Sequence, residues 1–250
     1  MLRMIQLSKR LRSTLGGIGL FLALVTMSAA ALHGASDPHA FRKASYQISS
    51  RGFRVGELKS MMQPVVRDGQ RLVRFEANTS IDAGFLFFAL RSISYEEALV
   101  GEAGTVGYRR SETENGRTRS VEAQFFPNHV TLIVREVDSL RMVTIPRAHF
   151  DFTTMDCPEA TIVREGEQLE IRLLDLAQAR VVTRRYRWLK TEAVTIGRRT
   201  IHCRIVDFED SDDNCRRWIA RDGIGVIIAR QEGQGKSGSY VLQMTSLEGG

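Results

Sequence analysis

Cysteine is scarce in this 250-residue chain: Cys157, Cys203 and Cys215 are the only three, and no two form a C-x-x-C pair. That excludes a disulfide-dense scaffold, a zinc ribbon and a thioredoxin-type redox pair. Proline numbers 5, too few for a proline-rich linker or a collagen-like chain. The five histidines (His33, His39, His129, His149, His202) are never spaced i, i+2 or i, i+4, so no metal-ligand motif is present. No G-x-S-x-G nucleophile elbow occurs. Beyond the N-terminus no run stays apolar for about 18 residues, so no later transmembrane helix is expected. What is present is ordinary for a folded protein: 43% hydrophobic and 26% charged residues, which exclude a mostly disordered chain.

Acid is missing from one region in particular. No Asp or Glu precedes Asp37, whereas Arg3, Lys9, Arg10 and Arg12 crowd the start. They account for most of the formal net charge of +6. Without them the remainder is close to neutral, and its basicity is no argument for nucleic acid. A positive n-region, an apolar stretch from Gly16 to Leu32 and the small residues Ser28-Ala29-Ala30-Ala31 together read as a secretory signal over residues 1–31, cleaved after Ala30 or Ala31. A polar leader over 32–43 and one β domain over 44–250 are expected to follow, with 153–166 as the place where N- and C-terminal halves would join. Export predicts a periplasmic location; the alternative reading of the same apolar run is an uncleaved membrane anchor.

From Ala44 onward the pattern is apolar/polar alternation cut by turn signals every 8–14 residues or so. Arg51-Gly52, Asp68-Gly69 and Asn115-Gly116 are the clearest hairpin turns. Pro64 predicts an edge or a bulge. Helix signals are few: Phe85–Leu90 reads as one buried strand or a short helix, and Thr153–Ala160 as one or two turns at most. The spacing predicts an all-β protein, an antiparallel meander forming a barrel or a strongly curved half-barrel sheet.

Each chemical motif fails on a named residue. Gly233-Gln234-Gly235-Lys236-Ser237 resembles the end of a phosphate loop, but Arg230 stands where the first glycine is needed and a strand follows instead of a helix. Asp210 to Asn214 resembles the opening of a calcium loop, but Cys215 and Arg221 replace its glycine and its glutamate. His149 with Asp151 is the only candidate acid–base pair on one strand face. Asp156 beside Cys157 would raise that thiol's pKa, so Cys157 is no nucleophile candidate. No catalytic residue, metal site or cofactor is expected, and the protein is read as non-enzymatic.

Two clusters remain as binding candidates. Phe85, Phe87, Phe88 and Leu90, with Met61, are the most apolar group after the signal and would line a cavity for a lipid or other hydrophobic ligand. Arg184, Arg185, Tyr186, Arg187 and Trp188 form a basic, aromatic strand that would dock an envelope protein or a glycan. Period two places Arg184, Tyr186 and Trp188 on one face and Arg185 and Arg187 on the other. Cys203 and Cys215 flank a polar turn and are the expected disulfide, across a hairpin centred on Glu209.

Tyr46-x-Ile48-x-x-Arg51-Gly52-Phe53-x-Val55-Gly56 resembles the opening strand pair of a family of exported bacterial domains of unknown function. Tyr186, Gly197, Cys203, Trp218-x-x-x-Asp222-Gly223, Arg230 and Gly238-x-Tyr240-x-Leu242 continue the likeness over most of Ala44–Leu247. The resemblance implies a curved antiparallel sheet or barrel, more remotely similar to the half-barrels of outer-membrane lipoprotein carriers, whose concave apolar face holds acyl chains. It carries over no functional residue. The expected function is thus an exported binding module for a hydrophobic ligand or lipid. The alternative is an envelope interaction module with a filled core.

Overall fold

Alternation makes strands, and among the described residues it makes fifteen of them in one sheet. The computed structural model describes residues 41–85, 88–235 and 238–249. The expected signal lies outside the described residues, as does Phe87. The first half of the chain forms β1 (Arg42–Ser50), β2 (Phe53–Arg67), β3 (Gln70–Phe85), β4 (Phe88–Gly101), β5 (Gly104–Glu114), β6 (Arg117–Phe125), β7 (His129–Glu136) and β8 (Ser139–Pro146). The second half forms β9 (Phe152–Thr153), β10 (Gln168–Asp175), β11 (Arg180–Ile196), β12 (Arg199–Glu209), β13 (Asp213–Arg221), β14 (Val226–Gly235) and β15 (Gly238–Gly249). β1 begins at Arg42, two residues before Ala44. Among the described residues no helix is long and apolar enough to cross a membrane.

The strand order is β8-β7-β6-β5-β4-β3-β2-β1-β15-β14-β13-β12-β11-β10-β9. The chain starts at the centre of the sheet, meanders out to β8, crosses to the opposite edge at β9 and meanders back until β15 pairs antiparallel with β1. Among the described residues only the β9–β10 pairing is parallel. Arg51-Gly52, Asp68-Gly69 and Asn115-Gly116 all take positive φ, as two-residue hairpin turns matched to strand twist require. Pro64 sits on the part of β2 that runs past the start of β1, where no neighbour needs its missing N–H. Phe85–Leu90 is neither one strand nor a helix: Phe85 pairs with Phe88, and the run straddles the turn between β3 and β4. Thr153–Ala160 holds a 3-10 turn at Pro158–Thr161.

The sheet rolls, and its inner face closes on itself. Ile48, Leu58, Phe75, Leu132, Leu174 and Leu242 are all essentially sealed from solvent in one core drawn from both halves. Burying each such side chain contributes about 1.5–3 kcal/mol. A smaller core forms around Ile171, Val206 and Ile228. Beyond the edge strand β9, Asp156 reaches the start of β5 and accepts hydrogen bonds from the Thr105 amide (2.9 Å) and hydroxyl (2.6 Å). The hydroxyls of Thr105 and Thr153 meet at 2.8 Å. β5 and β9 lie near opposite ends of the strand order, so this clasp fixes the roll. Among the described residues β8 and β9 share no ladder; the sheet overlaps itself instead of closing edge to edge.

Candidate functional site

The inner face of β11 to β15 carries charge where apolar residues would be expected. Arg184 alternates in phase with Val182 and Tyr186 and so points inward. Its guanidinium forks onto one oxygen of Asp210, at 2.9 Å from Nε and 2.6 Å from Nη2. The other Asp210 oxygen accepts the amides of Asp212 and Asp213, which turns β12 into β13. The stretch resembling a calcium loop is thus a turn held by an arginine. Arg217 points inward from β13 in phase with Cys215 and Ile219. It gives Nη1 to Glu159 (2.6 Å) and Nε to Gln231 (2.6 Å). Gln231 in turn donates to the Tyr240 hydroxyl, which lies 3.6 Å from the Cys215 sulfur. Arg184 and Arg217 both lie over the Phe208 ring, each 4.6 Å from its centroid. Glu159 is delivered by the 3-10 turn that Cys157 opens in a left-handed conformation, φ +47.

A second charged group faces this seam from the N-terminal half. Tyr108 donates to Glu96 at 2.7 Å; Arg110 lies 3.7 Å from Glu96 and 3.3 Å from Glu112. Burial raises the Glu96 carboxyl above its usual range, with Arg110 and Tyr108 opposing and Asp175 of the C-terminal half adding to the rise. Burial likewise raises Asp175. Both carboxyls are thus held toward their neutral forms chiefly by burial, one in each half of the chain.

This arrangement stores charge more readily than it performs chemistry. Burial pushes the Cys203 thiol up to about 11 and raises Cys215 as well, away from the nucleophilic thiolate. Tyr186 and Tyr240 are also raised by burial, so both stay as neutral hydroxyls. Asp151 is taken by Arg172, at 2.6 Å, so it does not pair with His149. His129 stacks on Phe126 at 4.7 Å. His202 is exposed, next to buried Cys203. Among the described residues no group of three or more His, Cys, Asp or Glu could hold a metal ion.

Neither binding cluster is assembled as the sequence suggests. Leu90 faces inward into the main core, whereas Met61 faces outward. There Met61 lines a shallow groove of about 300 Å³ with Lys43, Lys59, Glu76 and Glu248, a lining too charged for an apolar tail. Phe85 and Phe88 close the β3–β4 hairpin as cross-strand partners. The basic strand is divided. Arg184 and Tyr186 are buried inside, while Arg185 and Arg187 are exposed. Arg185 is neutralised by Glu170 (2.5 Å) and Glu209 (3.8 Å). Trp188 is half-buried under Arg204, 4.8 Å away. The expected disulfide is not formed: Cys203 and Cys215 are buried thiols with no bridge between them. Phe208, not Cys203, stands opposite Cys215, and the hairpin turns at Asp210–Asp213. Cys203 lies five positions further along β12, roughly 16 Å at strand rise and far beyond bridging reach. The interior residues that sequence motifs missed are Arg217, Glu159, Gln231, Glu96 and Tyr108. Their one signal is phase: Glu96 and Arg217 occupy positions in step with buried neighbours.

Roll, overlap and inner core define a barrel-like β protein built from a single curved sheet. A crystal structure of a β-barrel-like protein of the domain-of-unknown-function family DUF1849 from Brucella abortus has the same fold. The TM-score is 0.54 over 84% of this chain and 98% of that one, at 11% identity. The chain matches no protein-family model, and no curated protein matches it in sequence.

Proposed function

We propose that this protein is an exported, non-enzymatic interaction module of the bacterial envelope, its interior filled by its own side chains and its docking done by the outer surface. One observation carries the reading. The inner face, where an acyl chain would lie, is taken up by the Arg184–Asp210 and Arg217–Glu159 pairs and their hydrogen-bonded neighbours. Sliding an alkyl tail against buried guanidinium groups would break charge pairs without replacing their bonds. The signal-like residues 1–31 support export.

The test is native mass spectrometry of protein purified from the periplasm of an expressing bacterium. A bare mass lacking residues 1–31 is the expected result. A lipid-mass adduct that survives gentle desolvation would overturn the reading and restore the hydrophobic-ligand one. That second reading keeps one support: Phe85 and Phe88 meet at the end of the long β3–β4 hairpin, in a sequence apolar on both sides of the turn.

A further inference from the structure

The two edges of the sheet differ. At β9 the edge is two residues long, and the Asp156–Thr105 clasp and the Thr105–Thr153 hydroxyl contact lie over it. At β8 the edge runs for eight residues, pairs regularly with β7 on one side and, among the described residues, with no strand on the other. Proteins usually guard such an edge with several charges, a bulge or a mid-strand proline. β8 has no bulge, one charge (Arg141) and a proline only at its last position, Pro146. Leu140 and Met142 each stand 66% exposed on its outer side, and Val137 in the preceding turn is 68% exposed.

We propose that β8 is a docking strand that takes an extended segment of a partner protein as an added antiparallel strand, alternating apolar and acidic residues; this rests on the interaction-module reading above. Main-chain bonds along the open edge would supply affinity, and the two faces would supply selectivity. Apolar side chains of the incoming strand would cover Leu140 and Met142, continuing a row that already holds half-buried Ile133 beside Met142. An acidic residue would lie beside Arg141 on the inner side. Among the described residues neither Arg141 nor its exposed neighbour Arg147 has a carboxylate partner, whereas Arg135 has Glu122 at 3.7 Å. Asp138, in the turn before β8, is likewise without a cationic partner among the described residues, so Arg141 and Arg147 against Asp138 leave the edge net positive. A second copy of this chain fits less well: the two-fold register that sets Leu140 against Met142 puts Arg141 directly opposite Arg141, a like-charge pair.

Fluorescence anisotropy with two labelled ten-residue peptides tests the proposal, one alternating Val and Glu, the other Val and Lys. The Val–Glu peptide should bind about tenfold more tightly, since the swap turns attractive cross-strand pairs repulsive. Arg141→Glu should reverse the preference. Leu140→Asp with Met142→Asp should abolish binding while leaving the thermal transition unchanged, because both side chains are exposed. Equal affinity for the two peptides, or binding of neither, would overturn the proposal. So would a concentration-dependent dimer that Met142→Asp dissolves, because the edge would then belong to a second copy. In-cell photo-crosslinking separates the two readings. A partner captured equally by the wild type and the double variant keeps the interaction module and removes β8 as its docking strand; no captured partner at all removes both.

Discussion

Glu159 binds Arg217 with one carboxylate oxygen, while its other oxygen is buried with no hydrogen-bond partner among the described residues. Such a pair is held in place more by the penalty for breaking it than by its own net strength. Glu159→Leu should cost about 3–5 kcal/mol in urea unfolding by leaving a buried guanidinium uncompensated, and Glu159→Leu with Arg217→Met should cost distinctly less. Asp213 gives a pH signature. Burial first, then the Asp210 charge, raise its carboxyl from an ordinary value of 3.8 to about 6. Between those values the folded chain binds more protons than the unfolded one, so this group's contribution to stability falls as pH rises from about 4 to about 6. Asp213→Asn should gain stability relative to wild type across that window and hold the gain above it, read from urea midpoints at each pH. Gly233 is a third sensitive position, because a Cβ there would sit 2.3 Å from the Tyr240 ring, its cross-strand partner. Gly233→Ala should destabilise by about 1–3 kcal/mol and be partly relieved by Tyr240→Ala. None of these roles could be read from residue type alone. Arg217 is one arginine among many, and only its phase with Cys215 and Ile219 marks it as internal.

Strands and turns were far more legible, because each is encoded locally. Asp68-Gly69 and Asn115-Gly116 name their own geometry, and the alternation in Ala44–Ser50 names its buried side. Legibility failed where an element lacks its usual marker. Phe85–Leu90 hides a turn because continuous apolar residues erase the alternation and no Gly, Asn or Asp marks the reversal. A turn centred on Glu209 would set Cys203 against Cys215; the turn is centred between Ser211 and Asp212 instead, which moves every partner on β12. The β9 clasp was invisible for another reason: it joins Asp156 to Thr105, 51 residues apart, through single hydrogen bonds. Asp156→Ala strips acceptors from the Thr105 amide and hydroxyl and the Thr153 amide. It should cost about 2–4 kcal/mol. Hydrogen exchange should quicken first at Phe152–Met155 and at the β4–β5 turn, since the overlap opens there before the sheet unpairs.

At the scale of the molecule the all-β class follows from periodicity and turn spacing, but the roll does not. Its decisive pairing joins Arg42 to Gly249 and Ile48 to Leu242, and no local pattern announces which strands will meet across such a separation. The same distance explains why the charged make-up of the interior is not legible: Arg217 meets Glu159 across 58 residues of sequence, only once the sheet has rolled. The strand order also has a bearing on assembly. Because β1 and β15 are neighbours at mid-sheet while β8 and β9 form its rims, strands about 190 residues apart must find each other before the sheet is whole. A chain stopped at Gly235 would not merely lose its end; it would be cut down the middle, with β1 and β14 left as raw edges. Such a fragment should show no cooperative thermal transition and should aggregate. One strand, β15, therefore serves as the keystone of the roll: until it is seated between β1 and β14, each meander is a separate open sheet with nothing to curl against.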